Sequence, residues 1–278
     1  MLASLLIVFR EVLEAGLIVG IVMAATQGIA GRAAYIAGGI AAGVLGAGLL
    51  ASFAGALSNA FSGNGQELFN AGILLIAVVM LGWHNLWMAS HGREIAREMR
   101  AMGRSVAAGE KSLIAMAVVV AVAVLREGAE VVLFLYGVAA STHAGPGALL
   151  LGGVLGVLAG ALVSWLLYRG LLVIPLHRLF TVTSWLIALL AAGMAGQAAA
   201  ILAGADLIPA WGYQLWDTSW LLSDGSLLGR ALRAMIGYSD RPMGVQLAAY
   251  LTTLAVLVVG SRLIHQQPQR RPRPALSD

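Results

Sequence analysis

The chain is 278 residues long, 60% hydrophobic and only 11% charged, with 35 glycines and no cysteine. That balance suits lipid as solvent and excludes an ordinary water-soluble domain, and the missing cysteines exclude disulfides and thiolate metal sites. A net charge of +4 would point to nucleic acid in a soluble protein, but here the basic residues lie between apolar stretches as topology signals, so no nucleic-acid role follows.

A helix needs about 20 mainly apolar residues to cross a bilayer. Seven stretches meet that length, near 2–25, 35–57, 67–89, 113–138, 148–169, 181–203 and 243–264. The first lacks a basic leader and has Arg10, Glu11 and Glu14 where a signal peptide would be apolar, so it reads as a retained helix. The second opens with Gly38-Gly39, and the third carries His84 and Asn85 toward its inner end. In the following loop, 90–112, Glu94 and Glu98 are flanked by Arg97, Arg100 and Arg104, which reads as a solvated charged face. The fourth helix holds Arg126, Glu127 and Glu130, and the fifth opens with Gly152-Gly153. Small-residue spacings such as Gly152/Gly156 and Gly156/Gly160 suit close helix packing. The outer loop 204–242 has Trp211, Tyr213, Trp216 and Trp220, the composition of a segment lying at the membrane interface. After the last helix, 243–264, the tail 266–278 is rich in Pro and Arg and reads as disordered beside the anionic inner surface. The expected fold is all-α and polytopic, one transmembrane domain over residues 1–265.

Two of these helices carry the same string, Arg10-Glu11-Val12-Leu13-Glu14 and Arg126-Glu127-Gly128-Ala129-Glu130. A chain of this composition should show Arg-Glu-x-x-Glu on the order of 0.01 times by chance, so two copies in matching contexts are a signal. Ionisable groups in hydrocarbon face a protein interior, find partners and mark a conduction path. Offset by 116 residues the motif helices superimpose; the next helices share their glycine pairs, and the third helices share Leu68-Phe69 with Leu179-Phe180 and Gly82 with Gly193. Two halves follow, about 1–91 and about 112–203. Because each has three helices, the second enters from the opposite side, giving an inverted repeat whose substrate site lies near the midplane.

Outside the motifs, one side of the membrane would hold Arg32, Arg93, Arg97, Arg100, Arg104, Lys111, Arg169, Arg178, Arg262, Arg270, Arg271 and Arg273. The other would hold Arg230, Arg233 and Arg241. The positive-inside rule then places the N-terminus outside and the C-terminus in the cytoplasm.

Within each motif the glutamates are three residues apart, so they project about 60° apart and roughly 4.5 Å apart along the axis. If the motif helices meet, Glu11, Glu14, Glu127 and Glu130 surround one space that favours a hard multivalent cation. Arg10 and Arg126 are then bidentate partners that hold the carboxylates, or simply buried salt bridges tying helices together. Glu67 and Asp217 on the outer side and His84 on the inner side are candidates for ingress or exit. The chemistry leaves a permease for a hard or borderline metal cation in play, with an intramembrane metalloenzyme as a distant alternative. Carboxylate-bridged di-iron enzymes add histidines at Glu-x-x-His spacing, and neither motif has one.

These motifs, on the first and fourth of seven helices, resemble the oxidase-dependent iron permeases, which comprise the fungal high-affinity permeases and their bacterial inner-membrane counterparts. The likeness extends through Leu215-Trp216-Asp217-Thr218, Gly237-Tyr238, Pro242, Gln246 and Tyr250. The resemblance implies an inner-membrane importer rather than an enzyme, with no permanently bound cofactor and iron as transported substrate. It further implies ferric ion on the motif glutamates and an extracytoplasmic protein that oxidises or delivers iron. Fungal members are similar but add an acidic motif in an outer loop. Here the outer acids are scattered as Glu67, Asp206, Asp217, Asp224 and Asp240.

Overall fold

The computed structural model describes residues 1–60, 66–142, 145–170 and 176–266. Residues 267–278, nearly all of the expected tail, lie outside the described residues. Among those described, the regular elements are all helical: α1 (Leu2–Ala25), α2 (Arg32–Ala60), α3 (Gln66–Ala107), α4 (Leu113–Thr142), α5 (Pro146–Tyr168), α6 (Leu176–Gly204), α7 (Leu227–Ile236) and α8 (Gly244–Gln266). Among the described residues, five segments are long and apolar enough to cross a membrane: Arg32–Gly55, Glu67–Met88, Pro146–Tyr168, Thr181–Gly204 and Gly244–Ile264. The other two long helices, α1 and α4, are those interrupted by the charged motif. Large apolar side chains such as Leu49, Phe53, Val79, Trp83, Leu150 and Leu158 are exposed on these helices, as lipid-facing surfaces require and water-facing ones do not. The chain is an all-helical, polytopic membrane protein.

Two elements depart from the expected boundaries. Helix α3, expected to stop at 89, runs on to Ala107. The stretch beyond Met88 is rich in Ala, Arg, Glu and Met, which favour helix. Its Met99, Met102 and Val106 pack against Val22, Ile36, Met116 and Val120, so an apolar contact fixes the extension. The second departure is α7, inside the expected outer loop. Ser226 caps it by accepting from Gly229 N–H at 2.9 Å, and Gly237 ends it at φ 71°. Gly237 N–H then donates to Arg233 O at 3.1 Å and Tyr238 N–H to Leu232 O at 3.4 Å, a left-handed stop that glycine adopts without strain.

The rest of the 204–242 segment is tied into a compact cap. Thr218 N–H donates to Asp240 O at 2.9 Å, and Tyr238 Oη donates to Leu222 O at 2.8 Å. The Asp224 and Asp240 carboxylates each accept from the other's backbone N–H, at 3.2 and 3.1 Å. The stretch 215–242 therefore has an architecture of its own beneath its aromatic surface.

Helix α5 lies along α1, and α2 lies along α4. Glycine makes both approaches possible. A Cβ at Gly156 would stand 2.8 Å from Leu5 O and 2.8 Å from Val8 Cβ, and one at Gly43 would stand 2.7 Å from Ala121 O and 2.7 Å from Val124 Cβ. Leu5 and Val8 precede Ala121 and Val124 by the same 116 positions that separate the motifs. The central core joins Leu74 and Leu81 of α3, Phe134 and Val138 of α4, Ala191 and Met194 of α6 and Ile7 of α1. Helices α1, α3 and α4 all touch one another, and the charged motifs lie at that junction.

Candidate metal site

On α1 the motif faces wholly inward. Arg10, Glu11 and Glu14 are 2%, 0% and 3% exposed, deep enough that each charge requires a partner. Arg10 supplies part of it: Nη1 lies 3.1 Å from Glu11 Oε1 and Nη2 2.9 Å from Glu14 Oε1. Glu127 and Glu130 of α4 are buried as well. Their arginine is placed differently. Arg126 Nε lies 3.3 Å from Glu130 Oε1 and 3.9 Å from Glu127 Oε1, but its side chain is 40% exposed. Its guanidinium sits 4.5 Å over the Trp87 ring, and that ring stacks on His91 with centroids 5.0 Å apart. The motifs match in sequence and differ in setting.

The two motifs converge, and a third helix joins them. Glu11, Glu127, Glu130 and His84 each present a ligand atom within 4.8 Å of the others, and all four are buried. His84 comes from α3. Its Nδ1 is against Glu130 Oε2, while Nε2 is 3.3 Å from Glu14 Oε2 and 4.0 Å from Glu11 Oε2. Glu14 thus stands beside the four-residue group, between Arg10 and the second nitrogen of His84. The expected position of His84 at an inner exit gives way to one inside the cage. Sequence spacing gave no sign of this, because His84 shares no helix with either motif.

The cage leaves polar atoms unsatisfied. Glu11 Oε2, Glu14 Oε2, Glu127 Oε2, Glu130 Oε2, both ring nitrogens of His84 and one donor, Arg10 Nε, are buried without a well-formed hydrogen bond. Buried polar atoms are normally satisfied, and four carboxylate oxygens left over at one junction are an arrangement a cation resolves. The two arginines leave four carboxylates with a formal surplus of two negative charges. Oxygen-rich surroundings with one imidazole suit a di- or trivalent metal ion.

The other candidates lie elsewhere. Glu67 is exposed in the first turn of α3. Asp217 accepts from Ser219 Oγ at 2.6 Å and Ser219 N–H at 2.9 Å, and pairs with Arg241 Nε at 3.1 Å. Those Ser219 hydrogen bonds hold its carboxyl below the ordinary aspartate range. Asp217 is therefore engaged in closing a turn, and neither acid belongs to the cluster. Glu94 and Glu98 are exposed on the α3 extension, as expected of a solvated face.

Comparison with known proteins adds an independent line. The chain is 32% identical over 262 residues to the ferrous iron permease EfeU of Yersinia pestis, covering 91% of this chain and 90% of that one. It is 32% identical over 270 residues to ferrous iron permease EfeU of Escherichia coli O6:H1, covering 93% and 94%. It is also 30% identical over 272 residues to the putative inactive ferrous iron permease EfeU of Escherichia coli K12, covering 95% and 96%. No solved structure matches the chain. These relatives are named as permeases and not as enzymes. The iron permease FTR1 family matches residues 1–265, from the start of the helix that carries the first motif into the last turn of the last helix, and the chain belongs to that family.

Proposed function

We propose that this protein imports iron across a bacterial inner membrane through a midplane site built from the two Arg-Glu-x-x-Glu motifs. The observation that carries this reading is the convergence of Glu11, Glu127 and Glu130, with Glu14 beside them, at a buried junction of α1, α3 and α4. Family membership supports iron as the substrate. Carboxylate oxygens favour a hard ion such as ferric iron, in keeping with delivery by an extracytoplasmic iron-oxidising partner. The imidazole of His84 and the names of the relatives favour a second form in which ferrous ion crosses. Purified protein in liposomes, offered radioactive iron either kept ferrous under reductant or as ferric citrate, should accumulate one form well above protein-free vesicles. Accumulation of neither would reject iron import.

The proposed architecture has seven spans, α1 to α6 and α8, arranged as two inverted three-helix repeats and a last helix. Matched packing supports it: Gly156 on Leu5 and Val8, and Gly43 on Ala121 and Val124, preserve the offset of the motifs. An odd number of crossings places the ends on opposite faces, the C-terminus inside with most of the basic residues. A reporter fused after Asp278 should then read cytoplasm and a tag before Met1 should be reachable from outside. Finding both ends on one side would refute the odd count and the inverted repeat with it.

A further inference from the structure

The least expected member of the cage is also the one whose chemistry differs from the rest. His84 is 4% exposed and both its ring nitrogens face carboxylates, Nδ1 against Glu130 and Nε2 3.3 Å from Glu14 Oε2. A neutral imidazole carries one N–H, so it donates to one of these partners and turns a lone pair toward the other. Two lone pairs facing each other in a buried space repel, and a cation bound by both relieves the repulsion once the two side chains part to admit it. Glu130 belongs to the group whose ligand atoms lie within 4.8 Å of one another, whereas Glu14 does not. Nδ1 is the nitrogen closer to a member of that group, whereas Nε2 is closer to Glu14, at 3.3 Å, than to Glu11, at 4.0 Å, which favours Nδ1 as the cation side and Nε2 as the N–H side. A carboxylate holding the far N–H of a ligating imidazole is the usual way of fixing its tautomer and ring orientation.

We propose that His84 is a ligand of the transported cation, binding through Nδ1 beside Glu130 while Glu14 holds Nε2–H, and that this nitrogen makes the cage prefer divalent transition ions to Mg2+ and Ca2+. The proposal rests on the cage being the transport site. Magnesium and calcium take oxygen ligands, while imidazole suits iron, nickel, copper and zinc. Three carboxylates alone would accept the abundant hard ions; one nitrogen among them raises affinity for the scarce ones. Glu14 is then a positioning residue, tied on one side to Arg10 and on the other to His84.

The competing arrangement is a charged imidazole bridging Glu14 and Glu130, which leaves no ring nitrogen for an ion. Cobalt(II) distinguishes the two, because an imidazole bound to it gives a multiple-scattering signature in X-ray absorption. The full chain in lipid nanodiscs, loaded with one equivalent of Co2+, should show one such ring. The signature should persist in H91Q/H143Q/H177Q/H265Q, which leaves His84 as the only histidine and requires no change at position 84. In H84Q it should vanish, and the Mg2+ concentration needed to displace Co2+ should fall at least ~10-fold relative to the parent. Stoichiometric Co2+ binding that is lost in E127Q and E130Q but shows no imidazole in the parent would overturn the role of His84 and leave the carboxylate cage standing. Loss of the ring signature in the quadruple variant would overturn it too, by assigning the ring to another histidine. Co2+ that does not bind the parent, or binds E127Q and E130Q as well as the parent, would reject the cage as the transport site and His84 as its ligand together.

Discussion

Replacing any one of Glu11, Glu14, Glu127 or Glu130 by glutamine should lower iron uptake at least ~10-fold, the loss typical when a metal ligand's support or the ligand itself is removed. Glutamine keeps the volume and one acceptor oxygen of the side chain, so the helices still pack, but it removes one unit of negative charge from a site that must balance a multivalent ion. Because these side chains are buried, the lost charge is felt with little screening by solvent. Glu94→Gln and Glu98→Gln, on the exposed face of the α3 extension, should leave uptake unchanged. Radioactive iron accumulation, normalised to the amount of protein in the membrane, measures both sets. A well-expressed motif variant that transports at the parental rate would exclude a shared site.

The two arginines should differ sharply when removed. Arg10 is 2% exposed and contacts both Glu11 and Glu14. Arg10→Met strands two buried carboxylates, and breaking a buried ion pair from one side costs about 3–5 kcal/mol. Arg126 is 40% exposed, so although its partners are buried, Arg126→Met should cost clearly less than Arg10→Met, because only one side of the pair is withdrawn from solvent. Melting of the detergent-solubilised proteins, followed by the loss of monodisperse material on heating, would separate them. Equal destabilisation by the two substitutions would show that the halves are electrostatically equivalent despite their different burial.

Most of the helical framework was legible in the sequence because membrane spans announce themselves by length and apolar composition. The expected stretch 2–25 coincides with α1, and 113–138 falls inside α4. The motif glutamates were equally legible, since charge in hydrocarbon is rare. Less visible was anything set by tertiary contact. The α3 extension past Met88 follows from Met99, Met102 and Val106 finding partners on three other helices, which a hydropathy window does not register. Helix α7 has a Ser cap and a Gly stop, and both signals were present but masked by the aromatic loop composition around them. His84 is the sharpest case. Nothing within α3 connects a lone histidine to carboxylates on α1 and α4; only the three-helix junction does. The inequality of Arg10 and Arg126 was hidden for the same reason, because identical pentapeptides meet different neighbours.

One unbroken helix of 42 residues, α3, is a rod about 63 Å long with a cage residue near its middle. Its first turn begins with Gln66, and Val106 near its C-terminal end packs against Val22, Met116 and Val120. With His84 close to the balance point, a tilt of about 5° moves either end by roughly 3 Å while scarcely displacing the imidazole. The same rod joins the charged junction to the apolar cluster around Val106, so a displacement at either place is carried to the other by a single stiff element.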